Sequence, residues 1–273
     1  KVTLAGVKRA VKFSRNITQN YTKDAYFIKM DIKNYFVSIN KTILYDLVKE
    51  YIDENEEKWL LDLIKKVIFH DPRKNVYIKS PKKIRNLLPP HKSLFNCSDE
   101  CGLPIGNLTS QFFSNVYLNK LDQYAKHVLK CKNYIRYVDD ILIMDKDPGF
   151  LNYSYAKINR FLIDNLALEL NHRKKNINHI HKGFDFLGYV IKPNRIHTRR
   201  RTVKKCYKAL TEWKNSKNRY DKEVLELFRN KMNSYLGFMR YSDSYNLRKK
   251  MSGSLESLLI YPDKDCLKFN IAA

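Results

Sequence analysis

The chain has 273 residues, and its 52 Lys and Arg against 28 Asp and Glu give a formal net charge of +24 at pH 7. Such an excess favours a polyanionic partner, with nucleic acid first. The basic residues are spread along the whole chain, which excludes the single amphipathic basic stretch typical of membrane binding. No run of about 18 apolar residues occurs, and the five cysteines are irregularly spaced, so neither a membrane span nor a disulfide framework is expected. A cytoplasmic protein with free thiols is predicted.

The first third of the chain predicts one strand and two helices. Residues 26–33 form a short aromatic and β-branched run that is typical of a strand. Asn40 then offers a helix N-cap before an apolar-periodic segment that continues to Tyr51. A second amphipathic helix is predicted over residues 56–69. Residues 70–101 are basic and contain four prolines, so we expect a loop or hairpin on the surface.

The next segment predicts a helix and then a hairpin. A helical apolar stripe runs from about Leu108 to about Leu129. Two apolar strands follow, Tyr134 to Tyr137 and Ile141 to Met144, joined where Asp139 and Asp140 lie. The remaining predicted elements are a helix over about 151–167, a strand pair over about 184–198 and a basic helical region over about 201–260.

Three carboxylates are predicted to converge. Asp31 ends the first strand, and Asp139 and Asp140 occupy the tip of the hairpin. Three acids gathered together repel one another unless cations lie among them, and oxygen ligands favour Mg²⁺ or Mn²⁺. Two such ions about 4 Å apart would activate a 3′-hydroxyl and stabilise a leaving pyrophosphate, which is nucleotidyl transfer. The alternative is that the two hairpin acids are turn residues and Asp31 caps the following helix.

Five strings, taken in chain order, resemble successive motifs of reverse transcriptases. The resemblance implies an α+β right-hand polymerase fold: a palm of antiparallel sheet flanked by helices and a helical thumb, with the fingers largely missing. It assigns residues 1–25 to a remnant of the fingers, 26–198 to the palm and 199–273 to the thumb. Because the fingers would precede Lys1, a polypeptide beginning there is expected to polymerise weakly or not at all. The strings are DIKNYF (31–36), GLPIGNLTSQ (102–111), YVDD (137–140), LNHRKK (170–175) and FLGY (186–189).

The resemblance also implies roles for individual residues. Asp31, Asp139 and Asp140 bind two Mg²⁺ or Mn²⁺ ions, with the backbone carbonyl of Ile32 as a further ligand. Lys174 lies near the triphosphate, where a cation neutralises or protonates the leaving pyrophosphate. Other residues assigned to the nucleotide and template site are Phe36, Ile105, Gly106, Gln111 and Tyr137. Arg136 is either a further basic residue of the site or a solvated strand residue.

Two of these positions carry specific expectations. Phe36 matches the ring that lies under the sugar and excludes a 2′-hydroxyl, although by position alone it reads as a core aromatic residue. Ile105 stands where accurate enzymes of the family commonly have Gln. A branched apolar group donates no hydrogen bond to the nucleotide, so loose copying is expected, especially opposite template adenine.

The resemblance also covers two regions that would contact nucleic acid, the primer grip and the thumb. The FLGY string resembles the primer grip, although an ordinary buried hairpin would read the same way. Basic residues between Arg199 and Lys208, interleaved with aromatic residues, resemble a thumb that grips a duplex. A solvated helix face is the alternative for any single one of them.

The resemblance is strongest to bacterial and phage diversity-generating retroelements, because the ten-residue string ends in Ser110-Gln111. The expected partners are an RNA template, a DNA or RNA primer, deoxynucleotides and a small basic accessory protein. Phage-defence, group II intron and retron enzymes are alternatives. A noncatalytic RNA-binding scaffold of the same fold is a further alternative, but it would not need three clustered acids near a polyanion.

Overall fold

A four-stranded sheet contains the hairpin that carries Asp139 and Asp140. The computed structural model of the chain describes residues 2–53, 57–74, 76–253 and 260–271. In this sheet the strand Tyr26–Asp31 and the two strands of the hairpin pair antiparallel, so the predicted first strand and hairpin are confirmed. The fourth strand was not predicted. The strand order is β2 (Asn133–Tyr137), β3 (Asp140–Asp145), β1 (Tyr26–Asp31) and β4 (Asn176–His179).

Six α-helices lie in the described part of residues 25–178, and two of them begin at side-chain N-caps. The Asn40 side chain accepts hydrogen bonds from the backbone N–H groups of Thr42 and Ile43, at 2.9 and 3.0 Å, which confirms the predicted N-cap. The Asp147 side chain caps the helix after the hairpin in the same way. These helices are α2 (Tyr35–Ser38), α3 (Lys41–Lys49), α4 (Lys58–Phe69), α5 (Lys82–Arg85), α6 (Leu108–Gln123) and α7 (Pro148–Leu166).

The predicted helices of this region are confirmed with small changes of boundary. A π-helical turn, Tyr124–Val128, extends α6 to the predicted end near residue 129. Residue 56, the predicted start of α4, lies outside the described residues. The short helix α2 was not predicted. Residues 76–100 are largely exposed and form short helical turns among irregular chain, as expected for a surface loop.

Part of the apolar face expected for the amphipathic helix α4 is exposed, although Leu60 and Ile64 are partly buried. Trp59 is 68% exposed, Leu63 50% and Val67 41%. Leu61 and Ile68 on the same helix are buried instead. The hydrophobic stripe is broader than the face that packs, because tertiary contact covers only one side of an apolar helix.

One hydrophobic core holds the residues 25–178 together. Helices α6 and α7 pack beside one another, and α7 also contacts β1 and β3. Four consecutive residues of β3, from Ile141 to Met144, are buried, so both faces of this central strand are covered. The ends of β1 and β3 are therefore set by a packed sheet and not by a mobile loop.

The rest of the chain forms a second compact unit, from residues 1–24 and 179–273. Its predicted strand pair is a three-stranded antiparallel sheet, and its predicted helical region holds three helices. Residues 254–259 of that region lie outside the described residues. The elements are α1 (Val2–Ile17), β5 (Phe184–Phe186), β6 (Tyr189–Lys192), β7 (Arg195–Thr198), α8 (Arg200–Lys214), α9 (Lys222–Met239), α10 (Tyr245–Gly253), β8 (Ile260–Pro262) and β9 (Phe269–Ile271).

The three-stranded sheet belongs structurally with the C-terminal helices. The Tyr189 hydroxyl donates to the Phe238 carbonyl at 2.8 Å, and the Ile196 N–H donates to the Asp243 carboxylate at 2.7 Å. The compact unit therefore begins at residue 179, whereas the functional boundary was placed at residue 199. The assignment of fingers remnant, palm and thumb stays a prediction.

Two further expectations concern the whole chain. All five cysteines are free thiols; Cys131, Cys206 and Cys266 are buried, and Cys97 and Cys101 are half-buried. Among the described residues, no helix combines the length and the apolar character needed to cross a bilayer.

Candidate active site

The acids at the end of β1 and at the tip of the hairpin lie side by side. Asp31 is the last residue of β1 and pairs with Asp140, the first residue of β3. Residues paired across antiparallel strands have Cα atoms about 4.5–5.5 Å apart. Asp139 precedes Asp140 in the turn. Two acids separated by about a hundred residues of sequence are thus brought together by strand register, and the third adjoins them.

The turn between β2 and β3 is backbone-strained. Val138 has a φ of 56°, in the left-handed region that β-branched residues rarely adopt. Such a conformation costs about 1–3 kcal/mol and persists only where the surrounding structure enforces it. The strain lies at the residue directly before Asp139.

The Asp139 carboxyl resists ionisation. Burial first, and then the neighbouring Asp31 and Asp140 carboxylates, raise its pKa to about 6 against the lowering effects of a backbone hydrogen bond and of Lys174. Nearby negative charge of this kind is unfavourable in the protein alone and becomes favourable when a cation shares the site.

Lys174 contacts the acid group directly. Its ammonium nitrogen lies 2.7 Å from Oδ2 of Asp31, whose side chain is 15% exposed, while the lysine side chain is 59% exposed. Lys174 thus contacts a carboxylate of the site, while its predicted place near the triphosphate stays a prediction. The backbone of Asp31 is held as well, because the Asn171 N–H donates a hydrogen bond to the Asp31 carbonyl at 2.7 Å.

The three carboxylates are not gathered as tightly as the ligands of a bound ion. In the part of the chain that the structure describes, the group with three ligand atoms within 4.8 Å of one another is Asp24, His179 and His181. The His179 ring accepts a hydrogen bond at Nδ1 from the His181 backbone N–H, so its Nε2 carries the proton and donates to Asp24. In this structure the trio is joined by hydrogen bonds between its side chains and backbone.

A cavity of about 810 Å³ opens beside the acids. Several basic side chains line it, including His91, Lys92 and Arg173, so negative phosphate groups would be attracted there. It brings together six of the residues that the sequence singled out. These six are Asp31, Ile32, Phe36, Ile105, Asp139 and Lys174.

Phe36 and Ile105 differ in how much of the side chain the cavity can use. Phe36 is half-buried and packs against the core with its ring 5.5 Å from that of Tyr35. Ile105 is 76% exposed. Phe36 thus packs against the core and also lines the cavity, and its place under the sugar stays a prediction. Ile105 contributes little to the core.

The remaining predicted residues do not line the cavity. Gly106 has a φ of 109° with open space where a Cβ would stand. Gln111 is exposed in the first part of α6, and its carbonyl accepts hydrogen bonds from Ser114 and Asn115. Tyr137 ends β2 opposite Asp140, as Asp31 does on the other side.

Arg136 is a buried residue, so its alternative as a solvated strand residue is wrong. Its side chain is 8% exposed and forms a two-pronged ion pair with Asp122 of α6, with N–O distances of 2.8 and 2.6 Å. A further N–H donates to the Val138 carbonyl at 3.1 Å. Asp122 was not predicted from the sequence as a residue of the site. Its one signal was an acid set within the buried stripe of Leu118 and Leu121.

Comparison with known proteins adds a family. Residues 5–191 match the family described as reverse transcriptase (RNA-dependent DNA polymerase). A Saccharomyces cerevisiae protein named after intron 2 of COX1/OXI3 is 23% identical over 223 residues, which are 61% of this chain and 24% of that protein.

Solved structures give a similar result for the fold. Apo telomerase from Candida tropicalis has a TM-score of 0.53 at 14% identity, over 91% of this chain and 43% of that one. Telomerase from Candida albicans, in complex with a fragment of telomeric RNA, has a TM-score of 0.48 at 14% identity, over 92% and 44%. The chain thus spans less than half the length of each relative.

Proposed function

Since this chain belongs to the reverse transcriptase (RNA-dependent DNA polymerase) family, we propose that it carries the nucleotidyl-transfer centre of an RNA-directed DNA polymerase. The observation that carries the proposal is the register of the sheet, which sets Asp31 opposite Asp140 and beside Asp139. A scaffold that only binds RNA has no use for three neighbouring carboxylates, because they repel the phosphates of its partner.

The donor set fits divalent cations. Asp31, Asp139 and Asp140 offer only carboxylate oxygens, which suit Mg²⁺ or Mn²⁺, and members of this family use divalent metal ions. The raised pKa of Asp139 supports the fit, since a cation would offset both the burial and the neighbouring carboxylates that raise it. We propose two ions, with the Ile32 carbonyl as a further ligand. When bound, they would activate the primer 3′-hydroxyl and stabilise charge on the leaving pyrophosphate.

Lys174 serves the leaving group in this proposal. Its ammonium group contacts Asp31, yet more than half of its side chain is exposed, so it can turn towards a triphosphate in the adjoining cavity. There it neutralises developing negative charge or gives its proton to the pyrophosphate. Arg173, on the same short helical turn, lines the cavity beside it.

The cavity selects the nucleotide. Its basic lining attracts the triphosphate, and Phe36 presents part of its ring where a 2′-hydroxyl would clash. Ile105 offers an exposed branched apolar surface with no hydrogen-bond donor. Gly106, Gln111 and Tyr137 stay predicted contacts of the nucleotide and template.

The C-terminal helices supply the nucleic-acid grip. Five basic residues of α8 line a groove of about 380 Å³: Arg200, Arg201, Lys204, Lys205 and Lys208. Contacts from such side chains to phosphates hold an RNA template and its primer without reading sequence. The net charge of +24 supports the same partners.

A diversity-generating retroelement is the proposed biological setting. It is supported by Ile105, where loose copying is expected, and by the Ser110-Gln111 ending of the motif string. Bacterial or phage origin, a cytoplasmic location and a small basic accessory protein belong to the same proposal. An intron-encoded enzyme is the second candidate, favoured by the 23% identity to the yeast intron protein.

Primer extension tests the activity and the site together. Because the fingers are expected to be needed for activity, the assay uses a form of the enzyme that includes them, and a labelled DNA primer on an RNA template is extended by the wild type, Asp139→Asn and Asp62→Asn, each with Mg²⁺ and with EDTA. Asp62 lies exposed on α4 and controls for loss of one negative charge. We expect Mg²⁺-dependent extension that Asp139→Asn lowers at least about 100-fold, while the control stays within twofold. Equal extension by Asp139→Asn, or none by the wild type, would overturn the proposal.

A further inference from the structure

Arg136 uses its guanidinium group to connect a helix to the turn that carries Asp139. Nε and Nη2 donate to the two carboxylate oxygens of Asp122 on α6, at 2.8 and 2.6 Å. Nη1 donates to the Val138 carbonyl at 3.1 Å and to the Asn115 side chain at 3.3 Å. A planar guanidinium with fixed N–H directions transmits the orientation of one partner to the other.

Asp122 is itself held in place. Besides the two bonds from Arg136, its Oδ1 accepts a hydrogen bond from the Tyr134 hydroxyl at 2.8 Å. Its side chain is only 19% exposed, so its negative charge is largely removed from water. An anion in that position needs its cationic partner, so the two side chains have one defined arrangement.

The Val138 carbonyl is the point at which this arrangement reaches the site. That oxygen belongs to the peptide group joining Val138 to Asp139, so holding it fixes the plane from which the Asp139 backbone continues. The same turn has the unfavourable φ of 56° at Val138. A strained peptide keeps one orientation only while a neighbour holds it.

Stability alone does not account for the network. Burying an ion pair costs desolvation that its attraction seldom exceeds, whereas its geometry can specify one conformation. We infer that Arg136, held by Asp122, is a positioning residue that fixes the Val138–Asp139 peptide and so aims the Asp139 carboxylate at the divalent ions. The inference rests on the function proposed above.

Binding of Mn²⁺ tests this role apart from polymerisation. Free Mn²⁺ is measured by electron paramagnetic resonance with the full chain at pH 7.5, for Arg136→Lys, Asp122→Asn and Tyr117→Phe. The last is a matched control on the same helix, because the buried Tyr117 hydroxyl donates its hydrogen bond to the Leu166 carbonyl at 2.7 Å and not to the turn. Melting temperature and the dNTP KM are measured alongside.

Loss of positioning should weaken metal binding. We expect Arg136→Lys and Asp122→Asn each to reduce Mn²⁺ affinity about 10- to 100-fold, since outer partners of metal ligands have effects of that size. The Mg²⁺ concentration for half-maximal extension should rise by a similar factor while the dNTP KM changes little. Tyr117→Phe should lower the melting temperature and leave Mn²⁺ affinity unchanged.

The outcomes separate the two proposals. Variants that melt earlier but bind Mn²⁺ within twofold of the wild type would show a purely structural pair and overturn the inference. A wild type that binds Mn²⁺ but extends no primer even in a form that includes the fingers would overturn the polymerase proposal alone, and the affinities would still decide the role of Arg136. A wild type that binds no Mn²⁺ would overturn both.

Discussion

Replacing Asp139 with Asn should stabilise the metal-free protein at neutral pH. Burial and the neighbouring Asp31 and Asp140 raise the pKa of Asp139 from 3.8 to about 6. A rise of that size corresponds to about 3 kcal/mol, carried by the ionised form in the folded state. Because the residue is only half-buried, we expect about 1–2 kcal/mol. The folded-state pKa lies above the unfolded one, so this cost is absent below pH 3.8, where the carboxyl is protonated in both states. It grows between pH 3.8 and about 6 and is complete above that value.

Urea unfolding with EDTA at pH 4 and pH 7.5 measures this effect. Asp139→Asn should unfold at higher urea than the wild type at pH 7.5, and the gain should nearly vanish at pH 4. Adding Mg²⁺ at pH 7.5 should stabilise the wild type and leave the variant unchanged, because the variant lacks one ligand. Asp62→Asn, exposed on α4, should show none of these changes. A variant less stable than the wild type at pH 7.5 in EDTA would refute the electrostatic reasoning.

Four other substitutions test separate parts of the proposal. Phe36→Ala should admit ribonucleotides in primer extension, raising their incorporation at least about 10-fold, and unchanged sugar discrimination would count against its place under the sugar. Ile105→Gln should lower the error rate opposite template adenine when the cDNA is sequenced; equal rates would remove the case for loose copying. Gly188→Ala should lower the free energy of unfolding by about 2 kcal/mol, because φ is 89° and the added carbon would lie 2.8 Å from a phenylalanine ring atom of α9; Gly237→Ala, with nothing within 4 Å, should not. Lys204→Ala should weaken RNA–DNA duplex binding equally for all sequences and reduce the salt slope by about 1, and an unchanged slope would assign Lys204 to a solvated face.

Elements with a strong local pattern could be predicted from the sequence. The hairpin around Asp139 has two short apolar strands and a two-residue connection, and the Asn40 cap precedes a periodic run, so local preference and final structure agree. β4 and the β8–β9 hairpin escaped prediction because a strand of three or four residues shows too little alternation by itself. The equally short β5, β6 and β7 were predicted as strands because they follow one another closely. The exposed stripe of α4 was misjudged because periodicity gives the shape of an apolar face and not what covers it.

The candidate site also contains residues that the sequence reveals and residues that it does not, and two basic residues show the difference. Lys174 and Arg136 both lie in motif strings or directly beside them, and the sequence treats them alike as cations near the acids. Side-chain exposure separates them: 59% for Lys174 and 8% for Arg136. The exposed lysine can leave Asp31 for a substrate, whereas the buried arginine is committed to Asp122 and to the turn. Asp122 belongs to no motif, because its role depends on which strand residue packs against α6. Residues that meet a ligand are therefore visible as sequence patterns, while residues that aim them become visible only when distant segments are placed side by side.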